Sequence, residues 1–184
     1  MAGEEINFVR IGENPQLRSI NGFSMLTNIA GLVLIDQNFL ISLSGFDMLE
    51  RVGSLQLLIN PLLLVFPLFP ALSTVDGRLV LAFNGVRDIP GFNSLTTVTF
   101  GIQIDQNFSL EDISGFGGLV SESGSISITN NNSLLTVTGF AALEVVSQLV
   151  INANDVLTSL PGVRPTRIII YARTVCVCIL SSDF

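Results

Sequence analysis

The sequence contains no histidine, no lysine and no tryptophan, and all eight of its basic residues are arginine. Histidine and lysine supply the commonest general base, metal ligand and Schiff-base nucleophile, so their absence argues against most catalytic and metal-binding chemistry. Charged residues make up only 12% of the chain, and the net charge is −7. Such an acidic chain disfavours nucleic acid as a partner. We therefore expect no enzyme activity, no metal and no cofactor.

Cysteine is also scarce, with Cys176 and Cys178 standing two residues apart in an alternating run. In a strand both side chains would point to the same face, about 6.6–6.8 Å apart, which is poor geometry for a bond between them. They could pair with another chain or remain free thiols, which leaves the redox compartment open. The acidic start, Met1 to Glu5, does not resemble a signal peptide. The chain is then either cytoplasmic or a piece of a secreted protein.

The most informative feature present is a repeat of 23 or 24 residues that runs through nearly the whole chain. It is marked by a leucine or valine at the same place in each unit: Leu17, Leu40, Leu63, Val86, Leu110, Leu134 and Leu157. A period of this length with a Leu/Asn pattern predicts a solenoid, in which each unit buries its apolar face against its neighbours. We expect about seven coils over residues 1–163, starting in mid-coil, and an irregular cap or tail over residues 164–184.

Within each repeat, a short segment alternates apolar and polar residues and predicts a strand. Stacked copies should form a parallel sheet with strands about 4.8 Å apart. An asparagine follows each strand, at Asn14, Asn38, Asn60, Asn84, Asn107, Asn131 and Asn154. Its amide can satisfy backbone groups of the turn and of adjacent coils, so we predict a structural asparagine ladder. A Gly-Phe pair in most repeats predicts a corner followed by a stack of buried phenylalanine rings.

These motifs resemble the repeats of the receptor L-domain family, which is related to the leucine-rich repeats. The resemblance rests on the G-F-x-x-L segment, the L-x-I-x-x-N strand and a following N-x-S-L, as in Asn131 to Leu134, and it covers about residues 9–163. It implies a mainly β, right-handed parallel β-solenoid, an extracellular or cell-surface location, and a ligand-binding or structural role without catalysis. The cysteine-bonded caps and Cys-rich flanking modules of that family are missing.

The outward face of the predicted sheet is the default binding site. Its candidate binding residues are Leu34, Asp36, Gln56, Leu58, Val80, Gln103, Asp105, Ser127 and Thr129. Asp36 and Asp105 stand three coils apart, about 14 Å at the strand spacing. That is too far for a carboxylate pair of the kind that cleaves glycosides. The alternative is that the whole face is merely solvated.

A second candidate surface is the apolar excess in the early coils, where Leu62, Leu64, Val65 and Leu68 are not needed by the core columns. Exposed apolar area usually marks a contact. The window from Leu55 to Leu72 is apolar enough to suggest a membrane helix, but it contains three prolines and keeps the repeat, so we expect no transmembrane span. Asn107 and Asn131 match the glycosylation pattern, yet the ladder should turn both amides inward.

We predict a non-catalytic protein-binding or adhesion module of leucine-rich-repeat type, possibly part of a larger surface protein. The alternative is a structural solenoid that assembles with itself, either head to tail or through the apolar flank. Open solenoid ends favour such association because they expose strand edges. The partner is then a protein or a second copy of the chain.

Overall fold

The computed structural model describes residues 6–161 and 163, and within them the chain is all β and forms no helix. The predicted fold class, a parallel β-solenoid, is confirmed. The strands are β1 (Ile6–Gly12), β2 (Ser19–Ile20), β3 (Asn28–Asp36), β4 (Ser42–Leu43), β5 (Arg51–Asn60), β6 (Thr74–Val75), β7 (Leu79–Asn84), β8 (Asp88–Ile89), β9 (Thr97–Val98), β10 (Ile102–Asp105), β11 (Asp112–Ile113), β12 (Ser121–Thr129), β13 (Thr136–Val137) and β14 (Val145–Asn152).

The main sheet stacks one strand from each repeat in the order β1-β3-β5-β7-β10-β12-β14, every neighbour parallel. We number coils one to seven by these strands. They enclose about six turns, one fewer than the seven coils expected, because the last strand begins a turn that is not completed within the described residues. The predicted cap or tail over 164–184, with Cys176 and Cys178, lies outside the described residues.

In coils four and five the long strand is split into two pieces. β6 and β9 extend the first part of β5, while β7 and β10 extend its second part. The break before β10 contains Phe100 and Gly101, and Gly101 has a φ of +105° that favours glycine. The interruption leaves the outward face of the sheet uneven at this point.

A second face of the solenoid carries only short strands, and it is divided in two. β2 pairs with β4 in one part. In the other part β8 pairs with β11, and β11 pairs with β13. Between them, no backbone hydrogen bond joins residues 40–46 of coil two to residues 62–68 of coil three among the described residues. One cause is Pro67, which has no N–H at the position where Ser44 donates to the Ile20 carbonyl. We call this gap the seam.

The interior consists of side-chain columns that run along the stack, as the repeat predicts. The alternating strand residues are buried, and Ile104 and Ile128, for example, are inaccessible to solvent. The phenylalanine stack is confirmed: centroids of successive rings lie 4.7–5.5 Å apart through Phe23, Phe46, Phe69, Phe92, Phe116 and Phe140. The glycine before each ring mostly serves close packing, since a Cβ on Gly139 would lie 2.7 Å from the Ser114 carbonyl carbon.

Candidate functional site

The predicted ladder asparagines form one column at the ends of the main strands, and all but Asn14 are buried. Every step except that between Asn38 and Asn60 repeats the same bonds. The Oδ1 of Asn131 accepts from the backbone N–H of Asn107 at 3.0 Å, and its Nδ2 donates to the Ile104 carbonyl one coil back at 3.1 Å. The side chains therefore replace the backbone partners lost where the chain turns. Because the Nδ2 atoms of Asn107 and Asn131 are buried and hydrogen-bonded, both sequence matches to a glycosylation acceptor belong to the ladder.

The ladder has one interruption, between coils two and three. The Oδ1 of Asn60 is buried and has no hydrogen-bond partner among the described residues. Every other step from Asn14 to Asn154 has its bond from the preceding coil. The interruption coincides with the seam. Coils two and three therefore lack both the ladder bond and the backbone hydrogen bonds of the adjoining second face.

The residue before each ladder asparagine adopts the left-handed conformation, with φ between 52° and 61°. These residues are Glu13, Gln37, Ile59, Phe83, Gln106, Asn130 and Ala153. Sequence reasoning missed this column because none of its members is glycine. The only available signal was the position of these residues, immediately before the ladder asparagine of each repeat. Ile59 is the least favourable residue here, since β-branched side chains rarely adopt positive φ.

The predicted binding residues lie side by side on five neighbouring strands of the main sheet, where Leu34, Gln56, Val80, Gln103 and Ser127 are successive partners in register. Gln103 is exposed and Asp36 is buried, and the rest are intermediate: Leu34, Gln56, Leu58, Val80, Asp105, Ser127 and Thr129. They share one face and occupy five successive coils. Any partner of this face must contact several strands at once.

The two aspartates of this face are both fully occupied by neighbours. Burial raises the pKa of Asp36, but hydrogen bonds from Arg10 at 3.1 and 3.2 Å and from Gln37 outweigh it and hold the pKa below 3.8. Burial likewise raises the pKa of Asp105, and hydrogen bonds from Thr129, Asn130 and Gln106 bring it below 3.8. Both carboxylates are therefore ionised and serve to tie adjacent coils together.

One concave site is present where the strand breaks before β10. A notch of about 240 Å³ lies between coils four and six, lined by Arg78, Phe100, Gly101, Gln103, Ser125 and Ser127 among others. The Phe100 side chain is 64% exposed. The Arg78 side chain has no hydrogen bond or ion pair to any described residue. Three of the predicted binding residues, Val80, Gln103 and Ser127, thus belong to a site that also contains an aromatic ring and a free guanidinium.

A second surface lies at the turn between the main sheet and the second face. Seven apolar side chains are exposed there in coils two to four: Phe39, Ile41, Ile59, Leu62, Leu64, Val65 and Phe83. We call them the apolar flank. Val65 is the extreme case at 76% exposure. Ile41 and Leu64 stand on opposite sides of the seam. Leu68, which the sequence also marks as surplus, is exposed further along the coil.

One polar residue that the sequence analysis did not single out is deeply buried. Glu122 occupies an interior column whose other members are Ile29, Val52, Val75, Val98 and Val146. Its Oε1 accepts from the Gly124 N–H at 2.8 Å, while its Oε2 has no partner among the described residues. Burial raises the pKa of Glu122, and the Gly124 bond offsets this only in part. The sequence signal that could have identified Glu122 was a charged residue in a column that is otherwise apolar.

Comparison with protein-family models, with curated proteins and with solved structures finds no match. In the described part of the chain, no group of three or more acidic or cysteine side chains is arranged to hold a metal ion. Over the same residues, no helix is long and apolar enough to cross a membrane.

Proposed function

We propose that this chain is a non-catalytic recognition module that binds a protein partner through the outward face of its main sheet, centred on the notch. The observation that carries this proposal is that the exposed Phe100 and Arg78, whose side chain has no described partner, line the same notch. Aromatic residues and arginine are the residues most enriched where binding energy concentrates. Neither side chain is used by the fold, since Phe100 lies outside the ring stack and Arg78 has no side-chain partner among the described residues.

The surroundings of the notch fit recognition of an extended protein segment. Gln103, Ser125 and Ser127 supply amide and hydroxyl groups that can both donate and accept hydrogen bonds. The Arg78 guanidinium favours a carboxylate on the partner, because arginine binds carboxylates through two parallel hydrogen bonds. The flat, half-buried strand residues on either side would complete a rim that excludes water.

We further propose that the solenoid is of leucine-rich-repeat, receptor L-domain type and works at the cell surface or outside the cell. The support is the repeat itself: the G-F-x-x-L corner, the L-x-I-x-x-N strand and the asparagine ladder occur together in successive coils. Solenoids of this kind use their sheets as extended binding surfaces.

A random peptide library displayed on phage, panned on the folded full chain, tests the proposal. Peptides that carry a carboxylate should be enriched, and Phe100→Ser should weaken their binding at least about tenfold. The matched control is Phe108→Ser, an equally exposed ring outside the notch, which should leave binding unchanged. Failure to enrich any peptide, or equal loss in both variants, would contradict recognition at the notch.

The second candidate function, a structural solenoid that associates with itself, is favoured by a different observation, the apolar flank. It involves none of the notch residues, so the two functions can be separated by mutation.

A further inference from the structure

Glu122 is a buried carboxyl at a position where the neighbouring coils carry valine. Its side chain lies in the interior, and its Oε2 has no hydrogen-bond partner among the described residues. Val98 and Val146 hold the same position in the coils before and after it. An ionised carboxylate in such a column is strongly disfavoured unless it is paired. The interior position of Glu122 is therefore favoured by protonation.

No charge on the adjoining strands offsets this burial. β9 and β14, on either side of Glu122, contain no titratable residue, and β12 contains no other. Glu144, directly before β14, is exposed, and Arg78 is the one charged residue that lines the notch. Burial raises the pKa of Glu122, and the Gly124 N–H opposes it. The charge state of Glu122 therefore depends on whether its carboxyl stays in the interior.

Glu122 stands at the start of a β-bulge in β12. Between Glu122 and Ser125, two residues of β12 lie opposite a single residue of β14. The Glu122 Oε1 accepts from the N–H of Gly124, inside the bulge, at 2.8 Å. Coil two has the same bulge directly after Ile29, so a bulge at this place does not require a carboxyl. The carboxyl instead links the bulge to a group that can gain or lose a proton.

The bulge packs directly against the strand break that forms the notch. A Cβ on Gly124 would lie 2.7 Å from the Gly101 nitrogen and 2.8 Å from the Phe100 carbonyl carbon. A Cβ on Gly101 would in turn lie 2.6 Å from the Ser125 carbonyl oxygen. Phe100, Gly101 and Ser125 all line the notch. A rearrangement of the bulge therefore displaces residues that form the proposed binding site.

We propose that Glu122 is a proton-controlled switch for the notch, which binds its partner while the Glu122 carboxyl is protonated and releases it as the carboxyl ionises. Side chains alternate between the two faces of a strand, so an ionised Glu122 can reach water only if the bulge rearranges. A partner in the notch holds the bulge in place and so favours the protonated form, and protonation favours the partner by the same factor. Affinity should therefore rise as the pH falls through the pKa of Glu122.

This inference rests on the proposed function, because the switch acts on the partner bound at the notch. The composition of the chain makes it testable. The chain has no histidine, the side chain whose ordinary pKa lies between about 5 and 8. It also has no tryptophan, so Phe100→Trp places a single tryptophan in the notch as a fluorescent reporter.

Fluorescence of Phe100→Trp in the full chain, titrated from about pH 4.5 to 8, tests the link between Glu122 and the notch. We expect one transition, and Glu122→Gln, which cannot ionise but keeps an oxygen for the Gly124 N–H, should remove it. Glu122→Val should remove it as well, which guards against a fold weakened by the buried amide. Phe108→Trp, at an exposed ring outside the notch, should show no transition. A flat Phe100→Trp titration, or one that persists without Glu122, overturns the switch.

Peptide binding separates the switch from the proposed function. The probe is a phage-selected peptide without histidine and with blocked ends, whose carboxylates stay ionised over this pH range. Its affinity should fall at least about tenfold from pH 5 to pH 8, which corresponds to one unit of pKa between free and bound chain, and should not change with pH in Glu122→Val. A peptide that binds equally at both pH values overturns the switch and leaves the proposed function intact. A Glu122-dependent fluorescence transition with no peptide bound at either pH instead contradicts the proposed function.

Discussion

The corner that carries the apolar flank in coil three has a more polar counterpart in coil five, on the same backbone path, where Phe108 is the one exposed apolar residue among residues 106–112. Ile59, Leu62, Leu64 and Val65 are replaced there by Gln106, Ser109, Glu111 and Asp112. The residue before the ladder asparagine has the same left-handed φ in both coils, 56° and 53°. Both coils also bury the same interior columns. The interior of each coil is fixed by the fold, whereas the chemistry of this corner is free to vary.

The largest expected effect tests the interior that the two regions share. Phe92 lies between the rings of Phe69 and Phe116, with centroids 5.4 and 5.3 Å away, at the junction of the two regions. Phe92→Ala should lower the free energy of unfolding by about 3–5 kcal/mol, because it leaves a cavity in the middle of the stack. Urea denaturation measures it. The exposed Phe108→Ala should change stability by less than about 0.5 kcal/mol; similar losses in both variants would contradict a continuous core.

The ladder allows the same substitution in both regions. Asn131 accepts from the backbone N–H of Asn107, whereas the Oδ1 of Asn60 accepts from no described residue. Asn131→Ala should therefore cost about 1–3 kcal/mol more unfolding free energy than Asn60→Ala, since only the former orphans a buried donor. Equal losses by urea denaturation would show that the interruption at the seam has no energetic consequence.

Glu122 breaks an interior column that is apolar in the coils before it. Glu122→Val should raise the free energy of unfolding at neutral pH by about 1–3 kcal/mol, because it removes a buried carboxyl with an unpartnered oxygen. The control is Glu111→Val on the exposed corner of coil five, which should change stability by less than about 0.5 kcal/mol. A destabilised Glu122→Val variant would mean that Glu122 has a partner essential to the fold.

The same residue predicts a pH dependence. Its folded pKa is raised above 4.5 by burial, so the stability it contributes is complete below about pH 4.5 and is lost as the pH rises through the folded pKa. Asp36 and Asp105, whose pKa values are lowered below 3.8, act oppositely: their contribution is lost as the pH falls below that value. Glu122→Val should remove only the loss of stability that occurs as the pH rises above about 4.5. Urea denaturation at successive pH values would show this.

The smallest expected effect on stability concerns the flank itself. Exchanging Leu64 and Val65 for the residues of coil five, Leu64→Glu with Val65→Asp, should change the unfolding free energy of the monomer by less than about 0.5 kcal/mol. The reason is that both side chains are exposed and outside the core. Thermal denaturation at low concentration measures it, and a loss of several kcal/mol would show that the flank supports the fold.

The repeat and its columns could be predicted from the sequence because a solenoid buries the same positions in every coil. The strands, the asparagine ladder and the phenylalanine stack all follow from that periodicity. The seam, the left-handed residues before each asparagine and the split of the long strand into β9 and β10 could not. The seam and the split strand arise from small departures within single coils, such as Pro67 and Gly101, whose effect depends on the neighbouring coil. The left-handed residues recur in every coil, but no glycine marks them in the sequence.

The candidate sites were predictable only in part. Val80, Gln103 and Ser127, which the repeat assigns to the outward face, line the notch, but Phe100 and Arg78 lie at a strand break that the repeat does not reveal. Asp36 is covered because Arg10 reaches it from the adjacent coil. Leu62, Leu64 and Val65 were marked as surplus and are exposed, whereas Ile59 and Phe83 join the flank only through their backbone conformation.

The central claim is that the corner of coils two to four is a contact surface, while its counterpart in coils five to seven is solvated. Amide hydrogen exchange at low and high protein concentration tests this claim most directly. We predict that protection increases with concentration in peptides covering residues 39–42, 59–65 and 83–88, and that residues 106–112 and 130–136 do not change. Increased protection confined to β1 would instead indicate association through the open end, and no change anywhere would contradict a contact surface on the flank.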